Sequence, residues 1–124
     1  MSEKAHLDAV IALLTAADAA PMTLQQITDA TTLPTSYTEV QVMQRLGSGP
    51  RRSGAPSEVT QWRILTRAVA QRYANAQEMR KRAGALHEAK LTVDGETFFI
   101  ERSVTDDPIA PDDGWYSGVS EFAY

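Results

Sequence analysis

The side chains in this sequence that could support chemistry are two histidines and two pairs of aspartates. His6 and His87 are far apart in the chain, and there is no cysteine to complete a metal site with either of them. Asp106-Asp107 and Asp112-Asp113 have the oxygen-rich composition of a calcium loop, but their spacing differs from the EF-hand pattern. The serines lack a histidine with an orienting acid nearby. We therefore predict no metal site, no cofactor and no catalytic residue, and we expect that the protein is not an enzyme.

A glycine-rich segment, residues 47–57, is a second candidate for a binding function. It contains three glycines, two prolines and three serines. The glycines precede a predicted strand and no Gly-Lys-Ser/Thr follows them, so they do not match a nucleotide-binding loop. Loops of this length without structure of their own are uncommon unless they bind something. We predict that Arg51 and Arg52 at its centre are contact groups; the alternative is a solvated tip without a partner.

The basic residues between positions 63 and 82 raise the question of nucleic-acid binding. Arg63 and Arg67 share one face of a predicted strand, whereas Arg80, Lys81 and Arg82 fan out around a predicted helix, since consecutive helical residues are about 100° apart. The span has few aromatic residues for stacking on bases. We expect no sequence-specific readout, while weak contact with a phosphate backbone stays open.

Charge is segregated along the chain. Residues 1–44 hold one base and five acids, residues 45–90 hold ten bases and three acids, and residues 91–124 hold one base and eight acids. One interpretation is chance clustering on solvated surfaces. The other is a molecule with a basic and an acidic patch that attracts copies of itself head-to-tail, a contact that closes into a ring when the rotation allows it.

Length and composition indicate one domain over residues 1–124. No apolar run approaches the roughly 20 residues that span a bilayer, and the first residues do not resemble a secretory signal. We expect a soluble intracellular protein without a membrane partner.

The first half of the chain predicts one helix and one long strand. Apolar residues at helical spacing favour a helix from about Glu3 to Ala19, ended by Pro21, with His6 as a surface or packing residue near its apolar stripe. Residues 22–36 suit either a helical turn capped by Thr23 or a short edge strand. Alternation then predicts a strand over residues 37–46 with Val40 and Val42 facing inward.

The second half predicts sheet, helix and hairpin without a gap. A strand over residues 59–69 places Trp62 in the core, and a helix follows that we expect Asn75 to cap, with Glu78 three positions later. Asp94-Gly95 predicts a tight hairpin between residues 91–93 and 96–104. Residues 115–124 alternate again, and we expect this last strand to form a sheet edge that could recruit another strand.

These elements predict an α+β fold: a mainly antiparallel β-sheet with two helices packed on it and a long loop between two central strands.

Five features follow one another between residues 37 and 124: a Tyr-x-x-Val-x-Val strand (Tyr37, Val40, Val42), the Gly/Pro/Arg loop, the strand 62–69 leading to the helix 75–80, Leu91–Gly95, and Pro111–Tyr116 before an aromatic final strand. In this order they resemble the tail terminator (tail-completion) proteins of long-tailed, siphovirus-like bacteriophages. Residues 22–36 have no counterpart in the resemblance, and the helix at 3–19 agrees only in position.

The resemblance implies a structural virion protein of the tail or neck, assembled in the host cytoplasm. Such a subunit forms a hexameric ring on the tail tube, ends tube polymerisation and joins the tail to the head connector, while genome DNA passes through the ring without sequence readout. We accordingly predict seven interface residues: Arg51, Arg52, Arg63, Arg67, Asp112, Asp113 and Trp115.

Two other functions fit the same sequence features. One is another head–tail joining protein, a neck or connector component, which would bind the portal side rather than cap tubes. The other is a small non-viral adaptor that binds a partner by strand addition and stays monomeric.

Overall fold

The computed structural model describes residues 3–46, 60–103 and 106–124, and these form the predicted α+β fold. The elements in chain order are α1 (Glu3–Ala16), β1 (Pro21–Thr23), α2 (Leu24–Asp29), β2 (Ser36–Leu46), β3 (Thr60–Ala70), α3 (Tyr73–Ala83), a 3-10 turn (Gly84–Leu86), β4 (Lys90–Val93), β5 (Glu96–Phe99), β6 (Glu101–Arg102), β7 (Ala110–Asp112) and β8 (Trp115–Ala123).

The main sheet has the strand order β1-β2-β3-β8-β6, with β7 also paired to β8. Among the strands of the described residues, only β1 runs parallel to its neighbour, β2; the other pairs are antiparallel. The β2–β3 ladder runs from Ser36 opposite Ala70 to Leu46 opposite Thr60. The predicted loop therefore joins the two long central strands, but residues 47–59, with Arg51 and Arg52, lie outside the described residues.

One face of this sheet carries the core, because alternate side chains of a strand point to opposite faces. Most even-numbered positions of β2, β3 and β8 are buried there, including Val40, Ile64 and Phe122. α1 covers them with Val10 and Leu14, in agreement with the predicted stripe. α3 covers them with its own buried residues, Ala76, Met79 and Ala83.

The first helix is shorter than predicted, and both interpretations of the segment after it are correct. α1 ends at Ala16, and Asp18 and Ala20 then take positive φ angles of 59° and 47° that turn the chain. Pro21 begins β1 beside β2 instead of ending a helix. The Thr23 hydroxyl then accepts a hydrogen bond from the Gln26 backbone N–H, and the Gln26 side-chain oxygen accepts one from the Thr23 backbone N–H, so a capping box starts α2.

The predicted cap of α3 is wrong. The helix begins at Tyr73 with Arg72 at the cap position, and no side chain caps it. The Asn75 backbone N–H already donates to the carbonyl of Arg72 within the first turn. A capping residue lies outside the helical turns, so Asn75 cannot fill that role.

The hairpin forms as predicted, but its second strand is shorter. Asp94 and Gly95 adopt φ angles of 50° and 85°, as a two-residue turn of the type I′ class requires. β5 ends at Phe99 rather than at residue 104. The chain leaves the two-stranded sheet there and crosses to the main sheet, where β6 pairs with β8.

The prediction that the last strand forms a sheet edge is also wrong. β8 lies between β3 on one side and β6 and β7 on the other. Between those short strands, Ser103 donates to the Glu121 carbonyl at 3.0 Å and Asp107 donates to the Val119 carbonyl at 3.1 Å. Arg80 fixes this covering segment to α3 by donating to the Asp107 carbonyl at 2.6 Å.

None of the helices in the described ranges is long and apolar enough to cross a membrane.

Candidate functional site

The candidate site is the sheet surface opposite the core, which we call the open face. It is formed by the odd-numbered side chains of three neighbouring strands: Tyr37, Glu39, Gln41 and Met43 on β2, Arg63, Leu65, Arg67 and Val69 on β3, and Ser117, Val119 and Glu121 on β8. Leu65 and Val119 are partly exposed here. The same three strands therefore bury one face under helices and present a mixed apolar and charged surface on the other.

Two ion pairs cross the strands of the open face. Arg63 donates to both carboxylate oxygens of Glu121, from Nε to Oε1 and from Nη2 to Oε2 at 2.9 Å. This hydrogen bonding raises the pKa of the Arg63 guanidinium. Arg67 lies directly opposite Glu39 in the register, with Nη1 3.9 Å from Oε2. Exposed pairs of this kind add little stability, but they neutralise the surface charge of the face.

One end of the open face forms a shallow pocket of about 270 Å³. Its lining brings together Arg67, Asp112, Asp113 and Trp115, which are separated by up to 48 positions in the sequence. Trp115 packs on Tyr37 in an edge-on geometry with ring centroids 6.3 Å apart. Burial, followed by the nearby Glu39 charge, raises the pKa of the Tyr37 phenol.

A tight turn positions the acidic side of the pocket. Asp113 and Gly114 adopt φ angles of 51° and 84° between β7 and β8. The left-handed conformation is readily adopted by Asp and Gly, so the sequence favours this turn. It places Asp112 opposite Trp115 in the β7–β8 ladder.

The structure thus groups five of the seven predicted interface residues. Arg67, Asp112, Asp113 and Trp115 share the pocket, and Arg63 lies on the same face near the other end of β3. The sequence predicted that Arg63 and Arg67 share a strand face, and this is confirmed. Alternation could not reveal that the aspartates lie on that face, because their position depends on the pairing of β7 with β8.

Separate basic and acidic patches were predicted, and within the described residues this prediction is wrong. Four arginines of the basic middle segment contact acids from both acidic segments: Arg63–Glu121, Arg67–Glu39, Arg80–Asp106 at 3.9 Å and Arg82–Asp18 at 3.4 Å. The sheet order places β3 between β2 and β8, so the fold interleaves the charges that the sequence separates.

An aromatic cluster anchors the end of the sheet, and His6 is its centre. The His6 ring is fully buried and stacks on Trp62 with centroids 3.6 Å apart. Its Nδ1 lies 2.7 Å from the hydroxyl of Tyr124. Burial lowers the pKa of His6, although Asp94 and Glu96 act in the opposite direction. His6 is therefore a packing residue that ties α1 to β3 and to Tyr124, the residue after β8.

The part of the chain that the structure describes contains no group of three or more histidine, cysteine, aspartate or glutamate side chains placed to hold a metal ion. Comparison of the sequence with known protein families and with curated proteins found no match.

Proposed function

We propose that this protein is a structural virion subunit, a tail terminator that forms a ring on the phage tail tube, ends tube polymerisation and joins the tail to the head connector. The resemblance of residues 37–124 to that family motivates the proposal, and the α+β fold is the one that the resemblance implies. Ring size is proposed as six on the same basis.

The proposal is supported by one observation: residues predicted to form an interface lie together on the open face. Arg67, Asp112, Asp113 and Trp115 were singled out as interface residues from separate parts of the sequence, and they line one pocket. A partly exposed tryptophan beside apolar and charged side chains is typical of residues that contribute strongly to protein interfaces. We propose that a neighbouring subunit of the ring contacts this pocket.

The internal ion pairs change how the ring would assemble. Long-range attraction between a positive and a negative patch is not part of the proposal, because the arginines of the open face already have acidic neighbours. Association would instead depend on the fit of apolar surface and on local hydrogen bonds. It should therefore depend only weakly on salt concentration.

The proposal is tested by measuring the mass of the purified protein over a range of concentrations, alone and with assembled phage tail tubes. We expect a six-subunit species and a cap on one end of each tube. A protein that stays monomeric at every concentration and leaves tube length unchanged would overturn the proposal. Binding to the portal side alone would favour a connector component.

Substitutions test which surfaces of the subunit take part in ring formation and tube capping. Trp115→Ala and the Arg51→Glu/Arg52→Glu pair should each block ring formation or tube capping while the monomer stays folded. Arg72→Glu is a charge-reversal control, because Arg72 is exposed at the cap position of α3 and is not one of the residues of the open face. Normal tail length and infectivity in the double arginine variant would reject its assigned role.

A further inference from the structure

Beside the open face, β2 has an unpaired edge. Thr38 donates its backbone N–H to the Ala20 carbonyl, so the even-numbered residues of β2 direct their backbone groups toward the β1 side. β1 covers only positions 38–40 of β2. Beyond them, in the described part of the chain, Val42 has no strand beside it, and the Gln44 N–H has only a long contact of 3.4 Å with Glu3 Oε1.

The hairpin strand β5 has a second unpaired edge. Glu96 and Phe98 face Val93 and Leu91 across the tight hairpin, and the Ile100 N–H donates to the Ala89 carbonyl on the same side. The residues between them, Thr97 and Phe99, therefore direct their backbone N–H and C=O groups away from β4. No other strand in the described ranges pairs with β5.

Both edges carry exposed apolar surface. Phe99 on β5 is 62% exposed, and Leu24 of α2 is 48% exposed beside β2. Leu24 lines a groove of about 420 Å³ together with Leu7 of α1 and with Val42 and Met43. Exposed apolar groups next to unpaired backbone are the features that recruit an added strand.

The two edges belong to different surfaces of the molecule. β2 is near one end of the strand order, whereas the hairpin packs Phe98 against Tyr124, just beyond β8 on the other side of β3. A contact between two different surfaces of one chain is heterologous, and it generates a ring or an open filament instead of a closed pair.

We propose that the outer edge of β5 in one copy pairs with the edge of β2 in the next copy, with the Phe99 side chain seated in the groove between Leu7 and Leu24. A second copy is the occupant because this single contact covers both unpaired edges and both exposed apolar side chains. The inference rests on the proposed ring and names the strands that join its subunits. The long Glu3 contact at the Gln44 N–H would be displaced by a backbone carbonyl of the incoming strand.

Engineered cysteines test this contact, because the natural chain has none. Thr97→Cys and Gln44→Cys are made as separate single variants, mixed, and treated with a short bismaleimide. We expect a cross-linked dimer only in the mixture. Thr97→Cys mixed with Gln77→Cys, which is exposed on α3, is the control and should give no product.

The remaining outcomes are decisive. A ring by mass without this cross-link would overturn the strand pairing and leave the proposed ring in place. A cross-linked dimer in the sample that contains only Gln44→Cys would mean a two-fold contact between two β2 edges, and it would also overturn the proposed pairing of β5 with β2. A monomer in every sample would contradict both proposals.

Association strength gives an independent readout. Phe99→Ser should raise the concentration needed for half-assembly by about tenfold or more, the effect of losing one well-seated anchor. Tyr73→Ser is the matched control, since Tyr73 is 47% exposed on α3. Equal effects of the two substitutions would contradict a specific seat for Phe99.

Discussion

The two faces of the main sheet are built by the same strands and differ in almost every other respect. On the core face, Val40, Ile64 and Phe122 are closed under α1 and α3. On the open face, the side chains one position away are charged or partly exposed, and arginines face glutamates across the strands. The comparison indicates that the even positions contribute most of the buried surface that stabilises the fold, whereas most of the odd positions remain in contact with solvent.

The largest expected effect is on the core face. Phe122→Ala should lower the free energy of unfolding by about 3–5 kcal/mol, because it leaves a cavity under two helices. The comparison variant is Ser117→Ala on the open face of the same strand, which should change stability by less than about 0.5 kcal/mol. Urea denaturation measures both. Similar losses in the two variants would break the distinction between the faces.

The covering of β8 should be the next most sensitive feature. A Cβ at Gly118 would lie 2.8 Å from Ile109 Cγ1 and 3.3 Å from its Cα, so Gly118→Ala must displace the segment that covers β8. We expect a loss of about 1–3 kcal/mol, as for other overpacked sites. Thermal denaturation, with amide exchange at Val119, measures the effect. Unchanged stability would mean that the segment moves without cost.

Acidification should act through His6. Its pKa is lowered in the folded state, so below pH 6.5 the unfolded chain binds a proton that the folded chain resists. Stability is therefore retained above 6.5 and falls as the pH decreases through the lowered value. Denaturation between pH 7.5 and 5.5 should show this slope in the natural chain and a smaller slope in His6→Gln. Identical slopes would contradict the assignment to His6.

The smallest effect should be that of the ion pairs on the open face. A double-mutant cycle of Arg63→Ala and Glu121→Ala should give a coupling within the small range typical of surface ion pairs, and this coupling should decrease with salt. Chemical denaturation at low and high salt provides the four stabilities. A coupling well above this range would mean that the open face contributes to folding as the core does.

Sequence periodicity predicted most of the fold because burial on one face leaves an alternating or helical pattern. It identified α1, β2, β3, α3 and the Asp94-Gly95 hairpin. The position of β8 was missed because its aromatic alternation fits an edge strand as well as a central one. The pairing of β6 and β7 with β8 and the backbone bonds of Ser103 and Asp107 reveal the covering segment, and the side chains of that segment do not carry this information.

The candidate site was predictable in part. Strand alternation placed Arg63 and Arg67 on one face, but their acidic partners come from β2 and β8. Charge counts along the chain suggested separate basic and acidic patches. Such counts carry no information about which strands become neighbours in the sheet. His6 was predicted to be a surface or packing residue, and it packs, but its stacking on Trp62 could not be predicted because it is a contact between residues 56 positions apart.

The central position of β8 has a consequence for synthesis on the ribosome. β2 and β3 leave the ribosome first and can pair with each other early. The other edge of β3 stays unpaired until β8, which is translated more than forty residues later, becomes available. During that interval a nascent sheet of β1, β2 and β3 presents the unpaired backbone of β3 to its surroundings, a condition that favours misassembly with other chains. Codon pace or chaperone contact over residues 71–114 would then influence the yield of correctly paired protein.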